Sequence, residues 1–103
     1  MQLFQSHIFF MVYNIYNMNI EQLTEILKKK LEKEILCENI KIEDKSFLHK
    51  KHVTNDINKF HIKLTIKSND LKLLTKIEST KKIYKILKKE LKENIHSIQI
   101  LIN

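Results

Sequence analysis

The chain has 103 residues, room for one domain, and its hydrophobic share of 43% suits a folded globule with a thin core and not a disordered tail. Nineteen basic side chains against twelve acidic ones leave a net charge of +7. Every basic one is lysine, and glycine is absent as well as arginine, which excludes bidentate guanidinium readout of guanine and any glycine-built phosphate loop. The single cysteine, Cys37, rules out an intramolecular disulfide and suits a reducing compartment.

Residues Met1 to Asn19 are apolar, aromatic and uncharged apart from His7. They lack the basic start of a secretory signal and the arginine-rich character of a mitochondrial transit peptide. Their Asn and Gln residues make a poor membrane span. Residues 1–19 are therefore expected to be a disordered or loosely packed N-terminal extension, with Met11 or Met18 as alternative starts. The packed domain is expected over 20–103, cytoplasmic, with mitochondrial residence left open and no membrane partner.

From Ile20 to about Leu36, the residues Ile20, Leu23, Ile26, Leu27, Leu31 and Ile35 recur at helical steps. Asn19 and Gln22 make a capping box, and Glu25 can pair with Lys29. The period then becomes two: Ile40 and Ile42 mark a short strand, and Phe60, Ile62, Leu64 and Ile66 a clearer one. Between them lies a long polar stretch, roughly Lys45 to Lys59, of a length that is often functional. A short apolar turn, Leu71 to Leu74, precedes a second capping box, Thr75-Lys76-Ile77-Glu78, and a helix with Ile77, Ile83, Tyr84, Leu87 and Leu91 as its inner stripe. Ile98, Ile100 and Ile102 mark a last strand, expected to be the most buried of the three.

The order αββααβ predicts an α+β domain: a three-stranded mixed sheet with helices on one face. The first two strands form an antiparallel hairpin, and a helical crossover makes the third parallel to the second. That topology puts the 45–59 loop and the start of the last strand on one rim, where His49, His52, His61 and His96 converge. Neutral imidazole is a common ligand for iron and zinc, and two of them are an incomplete set that a partner would finish. The plainer readings stand beside this one: His49 and His52 solvated, His61 a surface residue or a support for the ligands. His96, sharing parity with Ile98 and Ile100, would be a partly buried structural histidine, and Cys37 a packed thiol and no nucleophile. No Ser/His/Asp arrangement or carboxylate pair near the rim suggests catalysis, so the chain reads as a binding protein and not an enzyme. On the last helix Lys81, Lys85, Lys88 and Lys92 are candidates for nucleic-acid phosphates, or an ordinary solvated face.

Several segments together resemble the BolA-like family. Ile42-Glu43-Asp44-Lys45-Ser46-Phe47-Leu48-His49 matches its first strand and loop, with His52 as the second loop histidine. His61-Ile62-Lys63-Leu64-Thr65-Ile66-Lys67-Ser68-Asn69-Asp70 matches its central strand and turn. Leu87-Lys88-Lys89-Glu90-Leu91 followed by Ile95-His96-Ser97-Ile98 matches its helix end and hallmark histidine. Leu71-Lys72-Leu73 lacks the family's turn glycine, and Ser79-Thr80-Lys81 replaces an Arg-His-Arg segment. The resemblance implies a fold like the class II KH domain and a histidine-loop subgroup. It implies an iron–sulfur accessory or regulatory role with a monothiol glutaredoxin as partner. A [2Fe–2S] cluster would be shared with that glutaredoxin and glutathione, and absent from the isolated, monomeric chain. His96 would be one ligand and His49 the other, with His52 as substitute. The alternative is a KH-like nucleic-acid-binding or transcriptional regulator, although the Gly-x-x-Gly clamp of such modules is missing.

Overall fold

The computed structural model describes residues 18–46 and 59–103. Seven elements follow in order: α1 (Ile20–Glu34), β1 (Asn39–Asp44), β2 (Phe60–Lys67), α2 (Asn69–Lys72), α3 (Lys76–Ile86), α4 (Lys88–Glu93) and β3 (Ile95–Ile102). The sheet order is β1-β2-β3, with β1 antiparallel and β3 parallel to the central β2. This is the expected α+β mixed sheet.

Local chemistry starts α1 and α3 where the sequence indicates. The Asn19 side chain accepts from Gln22 N at 2.8 Å, and Gln22 Oε1 accepts from Asn19 N at 3.0 Å, so the box before α1 is reciprocal. Leu23, Leu27 and Leu31 carry α1 onto the core, Ile35 is buried just past its end, and Glu25 pairs with Lys29 on the outer face at 3.3 Å. Thr75 Oγ1 accepts from Glu78 N at 3.1 Å and starts α3. Ser68 does two jobs between β2 and α2. Its hydroxyl accepts from Leu71 N at 3.2 Å as an N-cap and donates to the Leu36 carbonyl at 2.8 Å, stitching the crossover to the end of α1.

The core collects Leu23, Leu27, Leu31 and Ile35 with Ile40, Ile62, Leu64 and Ile66 of the sheet and Leu71, Ile83, Leu87 and Ile95. Three expectations are corrected here. The strand buried most fully is β2, not β3: Ile98, Ile100 and Ile102 are only half-buried because β3 is a sheet edge, while β2 is flanked on both sides. The long helix is broken at Leu87, whose φ of −99° and ψ of 16° leave the helical region, giving α3 and α4. Within α3 the inner positions are Ser79 and Ile83; Ile77 and Tyr84 face outward, 69% and 45% exposed. Glu90, on the inner side of α4, is buried and held by the Lys30 ammonium.

Candidate functional site

The hairpin and the parallel crossover do bring one end of the sheet together as the topology requires. β2 enters at Phe60, whose N–H donates to the Asn94 carbonyl at 2.9 Å, so the start of β2 is fastened to the turn that launches β3. The next residue, His61, is gripped on both sides of its peptide. Its carbonyl accepts from Lys45 N at 2.7 Å, and its N–H donates to Ser46 Oγ at 3.1 Å. Ser46 is itself placed by an Asx turn: Asp44 Oδ1 accepts from Ser46 N at 2.9 Å and from the Ser46 hydroxyl. This clamp sets the level at which the chain leaves β1 and returns to β2.

On the β3 side the ladder slips. Phe60 pairs with Ile95 but His61 pairs with Ser97, so His96 is an extra residue, a bulge on β3. The bulge lets Ile95 and Ile98, three positions apart, both turn to the core, and it pushes His96 outward. His96 is exposed, which corrects the partly buried structural histidine expected from its parity with Ile98. The His96 ring packs edge-on against His61, with centroids 4.7 Å apart and planes inclined by 64°. The His61 ring is oriented in turn by Ser97, with Nδ1 and the hydroxyl 2.7 Å apart. This bond fixes the orientation of the ring, while the hydroxyl, able to donate or accept, suits either tautomer.

His61 and His96 thus meet at the rim. His49 and His52 lie outside the described residues, as does His7; the segment that carries His49 and His52 departs at Ser46 and rejoins at Lys59, both beside this rim. Cys37 is elsewhere. Its neighbour Glu38 donates its N–H to the carbonyl of Lys67, at the far end of β2, about 20 Å along the strand from His61. Burial and the nearby Glu32 carboxylate push the Cys37 thiol above its ordinary value, so it is a poor nucleophile. Of the lysines, Lys81 and Lys85 lie on α3 and Lys88 and Lys92 on α4, all exposed, and the break at Leu87 divides the row into two short pieces.

Glu43, one residue before Asp44 on β1, sits among positive charges. Desolvation, the largest single influence, works against ionisation. A hydrogen bond from Lys45 and the charges of Lys41, Lys45 and Lys63 outweigh it and hold the carboxyl below its ordinary value. The open face of the sheet beside the rim is therefore a charged mosaic, not an apolar platform.

Could these residues hold a metal group? Among the described residues no three His, Cys, Asp or Glu side chains gather closely enough to enclose an ion. The exposed imidazole of His96 and its neighbour His61 place two rings at the rim. Two imidazoles suit a group whose remaining ligands come from elsewhere, and among the described residues they do not make a closed four-ligand zinc site. Ser97 and the Asp44–Ser46 turn contribute positioning that the residue pattern did not identify. The Asp-x-Ser spacing at positions 44–46 was the available signal for the turn. The bulge had none, since slippage depends on how Ile95 and Ile98 fit the core.

Comparison with known proteins agrees with this architecture. The family model described as BolA-like protein matches residues 31–103. The DNA-binding transcriptional regulator BolA of Haemophilus influenzae is 32% identical over 83 residues, covering 81% of this chain and 75% of the relative. The BolA domain of SufE1 from Arabidopsis thaliana superposes with a TM-score of 0.64 at 28% identity, over 77% of this chain and 87% of that domain. BolA1 from the same plant gives 0.63 at 23% identity over the same shares of each chain, a likeness of fold. With a family match over most of its length and solved BolA domains of the same shape, the chain belongs to the BolA-like protein family.

Proposed function

We propose that this chain is a non-catalytic iron–sulfur accessory or regulatory protein that pairs with a monothiol glutaredoxin and co-ligates a bridging [2Fe–2S] cluster. The observation that carries this reading is the bulge at His96, which turns an imidazole outward at the rim from which the 47–58 segment departs. His96 would supply one nitrogen ligand and His49, or His52 in its place, the other; glutaredoxin and glutathione would supply thiolates. Such a group, when bound, supplies one-electron redox chemistry, at a higher potential with imidazole than with thiolate ligation. This chain's own contribution is orientation. Ser97 fixes the His61 ring, His61 buttresses the His96 ring, and Lys45 and Ser46 hold the strand that carries His61.

The test is co-reconstitution with a monothiol glutaredoxin, glutathione, iron and sulfide, followed by visible circular dichroism. Wild type should give a spectrum that His96→Ala loses, while far-ultraviolet circular dichroism shows the fold intact. A His96→Ala heterodimer with the wild-type visible spectrum would leave only a metal-free adaptor.

A second reading follows from the name of the Haemophilus relative, a DNA-binding regulator. Here Lys81, Lys85, Lys88 and Lys92 would contact phosphates. Binding to a mixed oligonucleotide pool should then fall steeply with salt and show sequence selectivity; weak, non-selective binding would reduce it to net charge.

A further inference from the structure

We infer that the groove between α1 and α3 is a docking seat for an acidic amphipathic helix of a partner protein. The groove encloses about 580 Å³ and is lined by Lys30, Lys33 and Glu34 from the end of α1 and by Lys82, Lys85 and Ile86 from the end of α3. It shares no residue with the histidine rim, so this inference goes beyond the cluster reading and does not depend on it.

Charge defines the occupant first. Four ammonium groups from two separate helices meet around one depression. Lys30 is already neutralised by Glu90 at 2.7 Å. Lys33, Lys82 and Lys85 are exposed and have no ion-pair partner among the described residues. Three ammonium groups without an ion pair, against the single carboxylate of Glu34, therefore surround a surface that is chiefly hydrocarbon: Ile86, half-buried, and the methylene stems of the lysines. Water alone satisfies the ammonium groups but leaves that hydrocarbon exposed. A ligand with carboxylates flanking an apolar side chain satisfies both.

Shape narrows the choice further. Two helices packed side by side leave a channel into which a third helix fits by the ordinary interdigitation of side-chain rows, with anchors three or four positions apart. Nucleic acid suits the channel less well. A seat for single strands adds aromatic rings for bases to stack on, and none of the lining residues is aromatic; Tyr84 is on α3 but outside the groove. Guanidinium groups are absent from the chain.

The test uses the full chain and a fluorescein-labelled synthetic peptide of about eighteen residues, long enough for helix, with Leu on one face and Glu on the flanks. A second peptide of the same composition has its Leu residues scattered round the helix. Two triple variants carry the same charge change: Lys33→Gln/Lys82→Gln/Lys85→Gln in the groove and Lys72→Gln/Lys88→Gln/Lys92→Gln elsewhere. All six positions are exposed, and far-ultraviolet circular dichroism checks that both fold. Fluorescence anisotropy should show saturable binding of the amphipathic peptide, weakened about tenfold by the groove variant, the loss expected of three exposed ion pairs. The other variant should leave it nearly unchanged, and the scattered peptide should bind markedly less well. Equal losses in both variants, equal binding of both peptides, or no binding would overturn the assignment. So would an oligonucleotide that displaces the peptide and loses its own binding only in the groove variant, since the seat would then be one for phosphate.

Discussion

Lys30 on α1 and Glu90 on α4, sixty positions apart, are joined by two hydrogen bonds, with the ammonium 2.9 and 2.7 Å from the two carboxylate oxygens. Glu90 is almost wholly buried (its side chain 5% exposed) while Lys30 is 38% exposed, so the pair ties the last helix to the first through one desolvated charge. Removing the lysine strands that charge. Lys30→Met should lower stability by about 2 kcal/mol in urea unfolding, less than a fully buried pair loses because water reaches the lysine. Lys30→Met/Glu90→Leu should recover most of the loss, because no buried charge remains. A double variant as weak as the single one would mean that the pair contributes shape and not charge balance.

Ser68 is buried and bonded on two sides, to Leu71 N and to the Leu36 carbonyl. Ser68→Ala removes a helix cap and leaves the Leu36 carbonyl without this donor. The expected cost is about 1–2 kcal/mol, read as a lower urea midpoint with an unchanged slope. A loss no larger than that of an exposed serine would show that water replaces both bonds.

Glu43 predicts a pH effect of definite sign. Its carboxyl is held below the ordinary value of 4.5, so the folded state favours the charged form. The stabilisation is complete above that ordinary value and disappears as pH falls through the lower native value. Wild type should therefore melt slightly above Glu43→Gln at pH 7, and the difference should shrink as pH falls below 4.5 and through the lower native value. A difference that persists undiminished in acid would assign it to packing and not to the lysines around Glu43.

Features that depend on neighbours a few residues away were legible from the sequence. The Asn19–Gln22 box, the Thr75 cap and the alternation of β2 all occur where spacing places them, because each is settled within one turn of helix or one strand. The parallel pairing of β2 with β3 followed from crossover length. Features that depend on fit between distant elements were not legible. Ile77 and Tyr84 read with Ile83 as one inner stripe, yet Ser79 and Ile83, four positions apart, are the pair that faces the core. The burial of Glu90 depends on Lys30, sixty positions away, and no local pattern marks it. His96 reads as inward until the slip beside Phe60 shifts the parity of β3 by one. At the rim, therefore, the meeting of the His61 and His96 elements followed from topology, but the direction in which the His96 imidazole points and the supporting Ser97 and Ser46 contacts did not.

The central position of β2 links the rim to the order in which the polypeptide is made. His61 is fixed from one side by Lys45 and Ser46, so that half exists once the hairpin closes. The other half, His96 and Ser97, arrives only with β3, after α2, α3 and α4 have carried the chain back across the sheet. A nascent chain released only as far as Asn94 lacks His96 and Ser97, and with them the ring contact and the Ser97 bond. Contact between the two imidazoles marks a finished crossover, and a partner that engages the rim through His96 meets only chains whose translation has passed that point.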